Sequence, residues 1–404
     1  MPSRPLRRLH FVVPALLLLG AACAPRPARP TVPGGHGVTA AQARAVADSV
    51  QAVLDRAVAD GAFPGAFAAV GTSAGVVAEY GAGRLDAADA QRPDRSTVWD
   101  LASLTKVVGT TSALLQLVGE GRVGLDTPAV RYLPAWQAAG AGAVTVRQLL
   151  THSSGLPAWR ALYKEAATAD EALRHVYATG PDTLPGVRTL YSDLGFILLG
   201  QLVERVSGMP LAAYDSARVF APLGMRDTRY RPPASWRRRI APTEQDPWRQ
   251  RLVRGEVHDE NAFRLDGVAG HAGLFSSGRD LSRLAQLYLR HGVLDGGVRL
   301  FDSTTVATFT QAQDPARSHR ALGWETPTPS NSAGRRLSPR AFGHTGFTGT
   351  SLWMDPGRNL YVLLLSNRVN PTRENRKIGA VRTALADAVV GALEGAGRTA
   401  APGW

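Results

Sequence analysis

The sequence predicts an α+β fold: an antiparallel sheet flanked by helices, with an inserted all-helical lobe. Three observations carry this. Runs with β-strand patterning lie near both ends of the chain, the stretch between them follows helical spacing broken by long loops, and a helix-patterned segment stands before the first strands and after the last. With 404 residues, 44% hydrophobic and 20% charged, the chain can bury a sizeable core.

Each element follows from its local pattern. From Thr39, apolar residues at Ala43, Val46, Val50, Val53, Leu54 and Val58 share one helical face. "FPGAFAAVGTSAGVVAEYGAGRL" then holds two short β-rich runs parted by "GTSAG", which reads as a hairpin. "DLASLTK" opens a helix, and "VTVRQLLTHSSGLP" is a short helix stopped at Gly155 and Pro157. "GFILLGQLVERVSG" is the most apolar helix, and "SSGRDLSRLAQLYLRHG" starts with a capping pattern from Ser277 to Asp280. "LGWET", "FGHTGFTGTSLWMDP" and "LYVLLLSNRV" read as strands, and "IGAVRTALADAVVGAL" as a final amphipathic helix. The folded domain is placed at 39–393, its α/β lobe at about 39–125 and 311–393 and its helical lobe at about 126–310, with 394–404 a frayed tail.

The first residues carry an address rather than a fold. "MPSRPLRRLH" is basic and "FVVPALLLLG" apolar but too short to span a bilayer, the pattern of an export signal. "LLGAACA" resembles a bacterial lipoprotein box, so residues 1–23 are expected to be a signal ending at a lipidated Cys23, and 24–38 a Pro- and Gly-rich tether. Ordinary cleavage after Ala24 is the alternative, and it would leave Pro25 beyond the scissile bond, which signal peptidases tolerate poorly. The expectation is an exported, membrane-anchored cell-envelope protein facing the periplasm. Cys23 is the only cysteine, so no disulfide forms within the chain. The net charge of +13 is spread along the sequence, its densest folded run being Arg237 to Arg239, and no P-loop or zinc-knuckle spacing accompanies it. No nucleic-acid partner is expected.

The chemistry begins with a scarcity. Only three of 46 basic residues are lysines, Lys106, Lys164 and Lys377. Arginine is always charged, whereas a desolvated lysine can give up its proton. Lys106 follows Ser103 by three positions, which on a helix shares a face, with Cβ atoms roughly 5 to 6 Å apart. An amine there can help activate a hydroxyl, and the helix N-terminus offers backbone donors for an oxyanion. Lys106 is expected beside Ser103 with a lowered pKa.

Downstream, "YSDLGF" supplies Tyr191, and "GHTGFTG" supplies His344, Thr345 and Gly346. With Ser103 and Lys106, these resemble the three motifs S-x-x-K, Y-x-N and K-T-G (often H-T-G) of the serine β-lactamase and penicillin-binding protein superfamily, in the branch of class C β-lactamases, D-alanyl-D-alanine carboxypeptidases and related esterases. "LLTHSSGLP", "LGWE" and "SLWMDP" extend the likeness over residues 40 to about 393, and "VHDENAF", "GVAGHAGLFSS" and "NRVNPTREN" look like a peptidoglycan-related subgroup. The resemblance implies a β-lactamase/transpeptidase-like fold and an acyl-enzyme on Ser103, with Lys106 its proton partner and Tyr191 the base in acylation and acid toward the leaving group. It implies an oxyanion hole from the N–H groups of Ser103 and Phe347, and substrate binding by Asp193, His344, Thr345 and Gly346. The implied substrates are peptidoglycan stem peptides, β-lactams or small esters, without a cofactor. Two departures stand out: Asp193 replaces the usual Asn and cannot donate when ionised, and His344 replaces the usual Lys, giving a charge expected to vary with pH. Esterase or β-lactamase activity, and a catalytically weak wall-binding protein, are the alternatives.

"GTSAG" also matches a nucleophile elbow at Ser73, but that motif needs a following helix and a second β-like run follows instead. His258, Asp259 and His271 are candidates for the rim of the site. Imidazole and carboxylate also suit zinc, yet their spacing matches no metal motif. Trp99, Trp159 and Trp353 either border the cleft or pack in the core.

Overall fold

The computed structural model describes residues 1–2, 37–86 and 91–395, so the export signal, Cys23, most of the tether and the tail past 395 lie outside the described residues. From residue 37 onward the described residues form one unit, to which everything below belongs. Helix α1 (Ala40–Ala59) starts at Thr39, whose hydroxyl accepts the Gln42 N–H while the Gln42 side chain accepts the Thr39 N–H. Strands β1 (Gly65–Thr72) and β2 (Gly75–Gly83) follow as a tight hairpin, with Ser73 in its two-residue turn. No helix follows Ser73, so the elbow reading fails there.

The middle of the chain comprises β3 (Val98–Asp100), α2 (Ser112–Gly119), α3 (Val146–Leu150), α4 (Leu162–Glu165), α5 (Ala169–Tyr177), α6 (Asp193–Ser207) and α7 (Leu211–Tyr214). It continues through β4 (Arg229–Tyr230), β5 (Gln245–Asp246), β6 (Arg251–Leu252), α8 (Glu260–Arg264), β7 (Leu274–Ser277), α9 (Gly278–Leu289) and α10 (Ser303–Thr310). The chain then returns to the sheet with β8 (Phe342–Thr345), β9 (Ser351–Asp355) and β10 (Leu360–Ser366), and ends in α11 (Ile378–Gly395).

The main sheet has the order β2-β1-β10-β9-β8 and is antiparallel throughout, so the last strands of the sequence lie against the first. Along β1, Ala66, Ala68 and Val70 face a core shared with α1 and α11, while Phe67 and Ala69 face a larger core reaching α9 and the inserted helices. Both faces are covered, which is why β1 and β10 read as continuous apolar runs rather than alternating ones. Helix α9 is pressed so close that a Cβ on Gly278 would come within 2.1 Å of the Phe67 ring.

Three expectations need correcting. The insertion is not all helical: it carries most of a three-stranded sheet, β3-β7-β4, and the β5–β6 hairpin, whose two- to four-residue strands are too short for a period-2 pattern to show. Helix α9 lies within the stretch assigned to the helical lobe yet packs on the main sheet against β1, β9 and β10. "LGWET" is no strand; Gly323 takes a left-handed φ of 81° and only an isolated bridge joins Glu325 to Gly343.

Behind the site, Asp215 is wholly buried, and among the described residues its carboxyl has one hydrogen bond, from the Tyr230 hydroxyl at 3.2 Å. Burial pushes its carboxyl up to about 8, the Tyr230 bond opposing the shift. An exposed aspartate ionises near pH 4, so between about pH 4 and 8 the folded state holds one proton more than the unfolded state, and stability falls as pH rises through that window. Asp215→Asn removes this titration. Thermal melts are expected to show the variant gaining on the wild type from about pH 4 to pH 8 and levelling off above; a pH-independent difference would contradict it.

Candidate active site

The position of Ser103 is set by strand pairing. β3 pairs with β7 (Trp99 opposite Ser276, Asp100 opposite Phe275), and the Leu101 N–H continues the ladder to the Leu274 carbonyl at 2.9 Å. The chain then turns sharply at Ala102, whose φ of 45° costs about 1 to 2 kcal/mol for a residue with a Cβ. The Asp100 carboxylate holds this turn by accepting the N–H of Ala102 at 2.8 Å and that of His258 at 2.6 Å. Ser103 lies in a 3-10 turn, Ala102–Leu104, and Lys106 opens a π-helical segment, Lys106–Thr111, rather than the regular helix that the spacing suggested.

Lys106 is completely buried, and three oxygens surround its Nζ. Asp193 Oδ1 lies at 2.7 Å, Ser103 Oγ at 3.0 Å and the His271 carbonyl oxygen at 3.0 Å. An ammonium has three N–H donors, so its donors and these acceptors match in number. The Asp193 contact is an ion pair whose angle falls short of a well-aligned hydrogen bond. Burial alone would lower the lysine pKa, but Asp193, then Tyr191, outweighs it and the pKa is raised. The expected lowering is therefore wrong, because Asp193 stands against Lys106 and one of its oxygens is taken by the ammonium.

Tyr191 immediately precedes α6, which is capped by Ser192: its hydroxyl accepts the Gly195 N–H and donates to the Pro157 carbonyl. Burial raises the Tyr191 pKa, with Lys106 opposing, so the resting group is a neutral phenol, its ring centre 4.9 Å from Lys106 Nζ. His152, which sequence reasoning passed over, holds this segment from both sides. Its carbonyl accepts the Leu190 N–H at 2.8 Å, its Nδ1 accepts the Ser192 N–H at 3.1 Å, and its ring lies 4.4 Å from that of Tyr191. Burial, with Arg320 and Lys106, holds its pKa well below the usual histidine range. The one signal for it was a polar residue at the helix stop in "LLTHSSGLP", held here at a φ of 56°.

The β8–β9 turn forms the facing edge. The Thr348 and Thr350 hydroxyls donate to the carbonyls of Asp100 and Leu101, tying this turn to the strand end before Ser103. Gly346 sits so close that a Cβ would meet Thr350 Oγ1 at 2.1 Å and the Leu101 oxygen at 2.4 Å. Thr345 is half-buried, and the Phe347 N–H donates to nothing among the described residues. The Phe347 carbonyl accepts from Arg368 Nε at 2.7 Å, and its ring, 48% exposed, lies between the Arg368 guanidinium and His258. His344 is buried, its Nδ1–H donating to the Thr345 carbonyl at 2.8 Å. Burial, then Arg320 and Lys106, places its pKa well below the usual range, so the expected pH-dependent charge gives way to a neutral ring.

The three rim candidates divide. His258 is buried on the Phe347 side, bonded through Nε2 to Glu244 at 2.9 Å. Asp259 caps α8 and accepts from His271 Nε2 at 2.9 Å, and His271 supplies the carbonyl that faces Lys106. Asp193, Asp259 and His271 offer ligand atoms within 4.8 Å of one another. The Lys106 ammonium already supplies the cation there, so the cluster reads as the counter-ion shell of a lysine and not as a metal centre. Trp99 and Trp353 are buried core residues, whereas Trp159 is 47% exposed beside Ala158, whose carbonyl accepts the Asp193 N–H. His152→Ala would leave the buried Ser192 N–H without its acceptor and a void against Tyr191. Denaturant unfolding is expected to show a loss of about 2 to 4 kcal/mol, and a loss near zero would show that His152 does not hold this segment.

Comparison with known proteins identifies the family and the fold. The chain matches the Beta-lactamase family over residues 50–386. It is 34% identical over 304 residues to an N-acetylmuramyl-L-alanine amidase of Bacillus subtilis, covering 67% of this chain and 68% of that protein. It is 34% identical over 305 residues to an Escherichia coli protein named "Putative D-alanyl-D-alanine carboxypeptidase", covering 67% and 69%. The solved structure of EstCE1, a hydrolase with promiscuous acyltransferase activity, superposes with a TM-score of 0.71 at 22% identity, covering 86% of this chain and 99% of that one, a likeness that shows the fold. By sequence and by fold, the chain belongs to the β-lactamase and penicillin-binding protein superfamily of serine hydrolases.

Proposed function

We propose that this serine hydrolase forms an acyl-enzyme on Ser103 and acts on D-alanyl peptides of peptidoglycan, from an exported position anchored through Cys23. The observation that carries the reading is the contact of a half-buried Ser103 hydroxyl with the buried Lys106 amine, beside Tyr191. Ser103 attacks the substrate carbonyl, and the N–H groups of Ser103 and Phe347 receive the developing oxyanion. Each such donor is worth about 3 to 4 kcal/mol of transition-state stabilisation. The neutral Tyr191 hydroxyl protonates the leaving group. Thr345, Gly346 and the neutral His344 form the wall facing the leaving group's carboxylate.

The surroundings favour an anionic leaving group. A cleft of about 450 Å³ is lined by four arginines, Arg147, Arg188, Arg317 and Arg320, against one aspartate, Asp314; Arg147, Arg317 and Arg320 pair with Asp126, Asp314 and Glu325, and the Arg320 guanidinium lies 5.3 Å from the Tyr191 ring centre. A D-alanine carboxylate fits that chemistry better than a neutral alcohol does. The amidase and carboxypeptidase names of the relatives support an amide as the bond cleaved.

Labelled penicillin tests the reading. An adduct is expected on Ser103 and is expected to be absent in Ser103→Ala; labelling elsewhere, or labelling unaffected by the substitution, would contradict it. Lys106→Arg keeps the charge but puts a larger, permanently protonated fork in a fully buried site, so acylation should fall about 100-fold or more. Persistence of the adduct, compared with turnover of a D-Ala-D-Ala peptide, a cephalosporin and a simple ester, separates peptidase from lactamase and esterase.

A further inference from the structure

We infer that Asp193 is the terminal proton acceptor of acylation and Lys106 the relay between it and Ser103, an inference that rests on the acyl-enzyme reading above. The three groups form a line: Ser103 Oγ lies 3.0 Å from Lys106 Nζ, which lies 2.7 Å from Asp193 Oδ1. A lysine that is already an ammonium has no lone pair with which to accept the serine proton. It can take that proton only by surrendering another, and Asp193 is the closest oxygen to which it can surrender one.

The step balances. As the Ser103 Oγ–carbonyl bond forms, the Oγ proton passes to Nζ and an Nζ proton passes to Oδ1, after a small rotation of the carboxylate brings it into line. As the bond to the leaving group breaks, the Tyr191 hydroxyl gives its proton to the departing atom. Tyr191 then recovers a proton from Lys106, and Lys106 recovers one from Asp193. The serine proton ends on the leaving group, and every other group returns to its starting state.

The fold keeps this line intact. Asp193 is the first residue of α6, its N–H bonded to the Ala158 carbonyl at 2.9 Å, and its side chain is half-buried. The charged and titratable groups facing the pair are Tyr191 on its own segment, Asp259 and His271 from the α8 side, and His152, Arg320 and His344 across Tyr191. Asp259 is already engaged by His271 and by the Ala262 N–H, which leaves Asp193 as the carboxylate in contact with the amine.

Asp193→Asn decides between this role and substrate binding. The Y-x-N pattern would make asparagine the better residue for holding a substrate carbonyl, and labelling would then be unchanged or faster. The relay predicts the reverse: Ser103 acylation by labelled penicillin, and by an activated ester, slowed about 100-fold or more, with Asp193→Glu recovering part of the rate. A second measurement needs only the wild-type protein. Acylation should be level between about pH 6 and pH 9, because Lys106 does not have to lose its proton to solution before the step. A rate that climbs tenfold per pH unit across that range would assign the base to free lysine and overturn the relay, as would an Asp193→Asn variant labelled as fast as wild type. If the wild type acquires no adduct from either probe, the acyl-enzyme reading itself fails.

Discussion

The site is organised around one buried positive charge. Removing an ammonium from water costs several kcal/mol even in a relaxed protein interior, and Lys106 is entirely enclosed. The fold can hold it only by bringing three oxygens from three separate segments to within 3.0 Å: Asp193 from the start of α6, the His271 carbonyl from the loop before β7, and Ser103 from its own turn. Much of the surrounding structure follows. Ser192 caps α6 so that its first residue faces inward, Asp259 holds His271, and Asp100 fixes the left-handed turn that places Ser103. Ser103 is thus positioned by the same contacts that make the lysine tolerable.

The neutral histidines belong to the same electrostatic arrangement. His152 and His344 flank Tyr191 and lie near Lys106 and Arg320, so a further proton on either would add charge to an already positive, desolvated region. Each instead uses Nδ1 for one backbone bond, His152 accepting and His344 donating. They act as fixed, uncharged walls around a phenol that stays protonated at rest. Replacing the family's usual lysine by His344 therefore removes a charge rather than making one switchable.

Ser103, Lys106 and Tyr191, which the fold brings together, stood out because such residue types can act on a carbonyl and because a chain with three lysines makes each one conspicuous. The main sheet was legible from its apolar runs and its helical flanks. What escaped was whatever depends on partners distant in the chain. His152 acts on a backbone N–H 40 residues away, and nothing in "LLTHSSGLP" announces that partner. Asp193 was read as facing substrate because its place in "YSDLGF" fixes its neighbours in sequence, not the lysine it meets through folding. The π-helical segment after Ser103 and the short strands of the insertion escaped for a local reason: each spans too few repeats of its own period to show it.

The central claim is that Lys106 rests as an ammonium held by Asp193. It can be measured directly by labelling the lysine side chains with 13C at Cε and following their NMR shifts with pH, since Lys164 and Lys377, both exposed, provide internal references in a three-lysine chain. The account predicts that the Lys106 signal keeps its protonated shift past about pH 10.4, where free lysine side chains titrate. A Lys106 signal that titrates below them, near neutral pH, would contradict it.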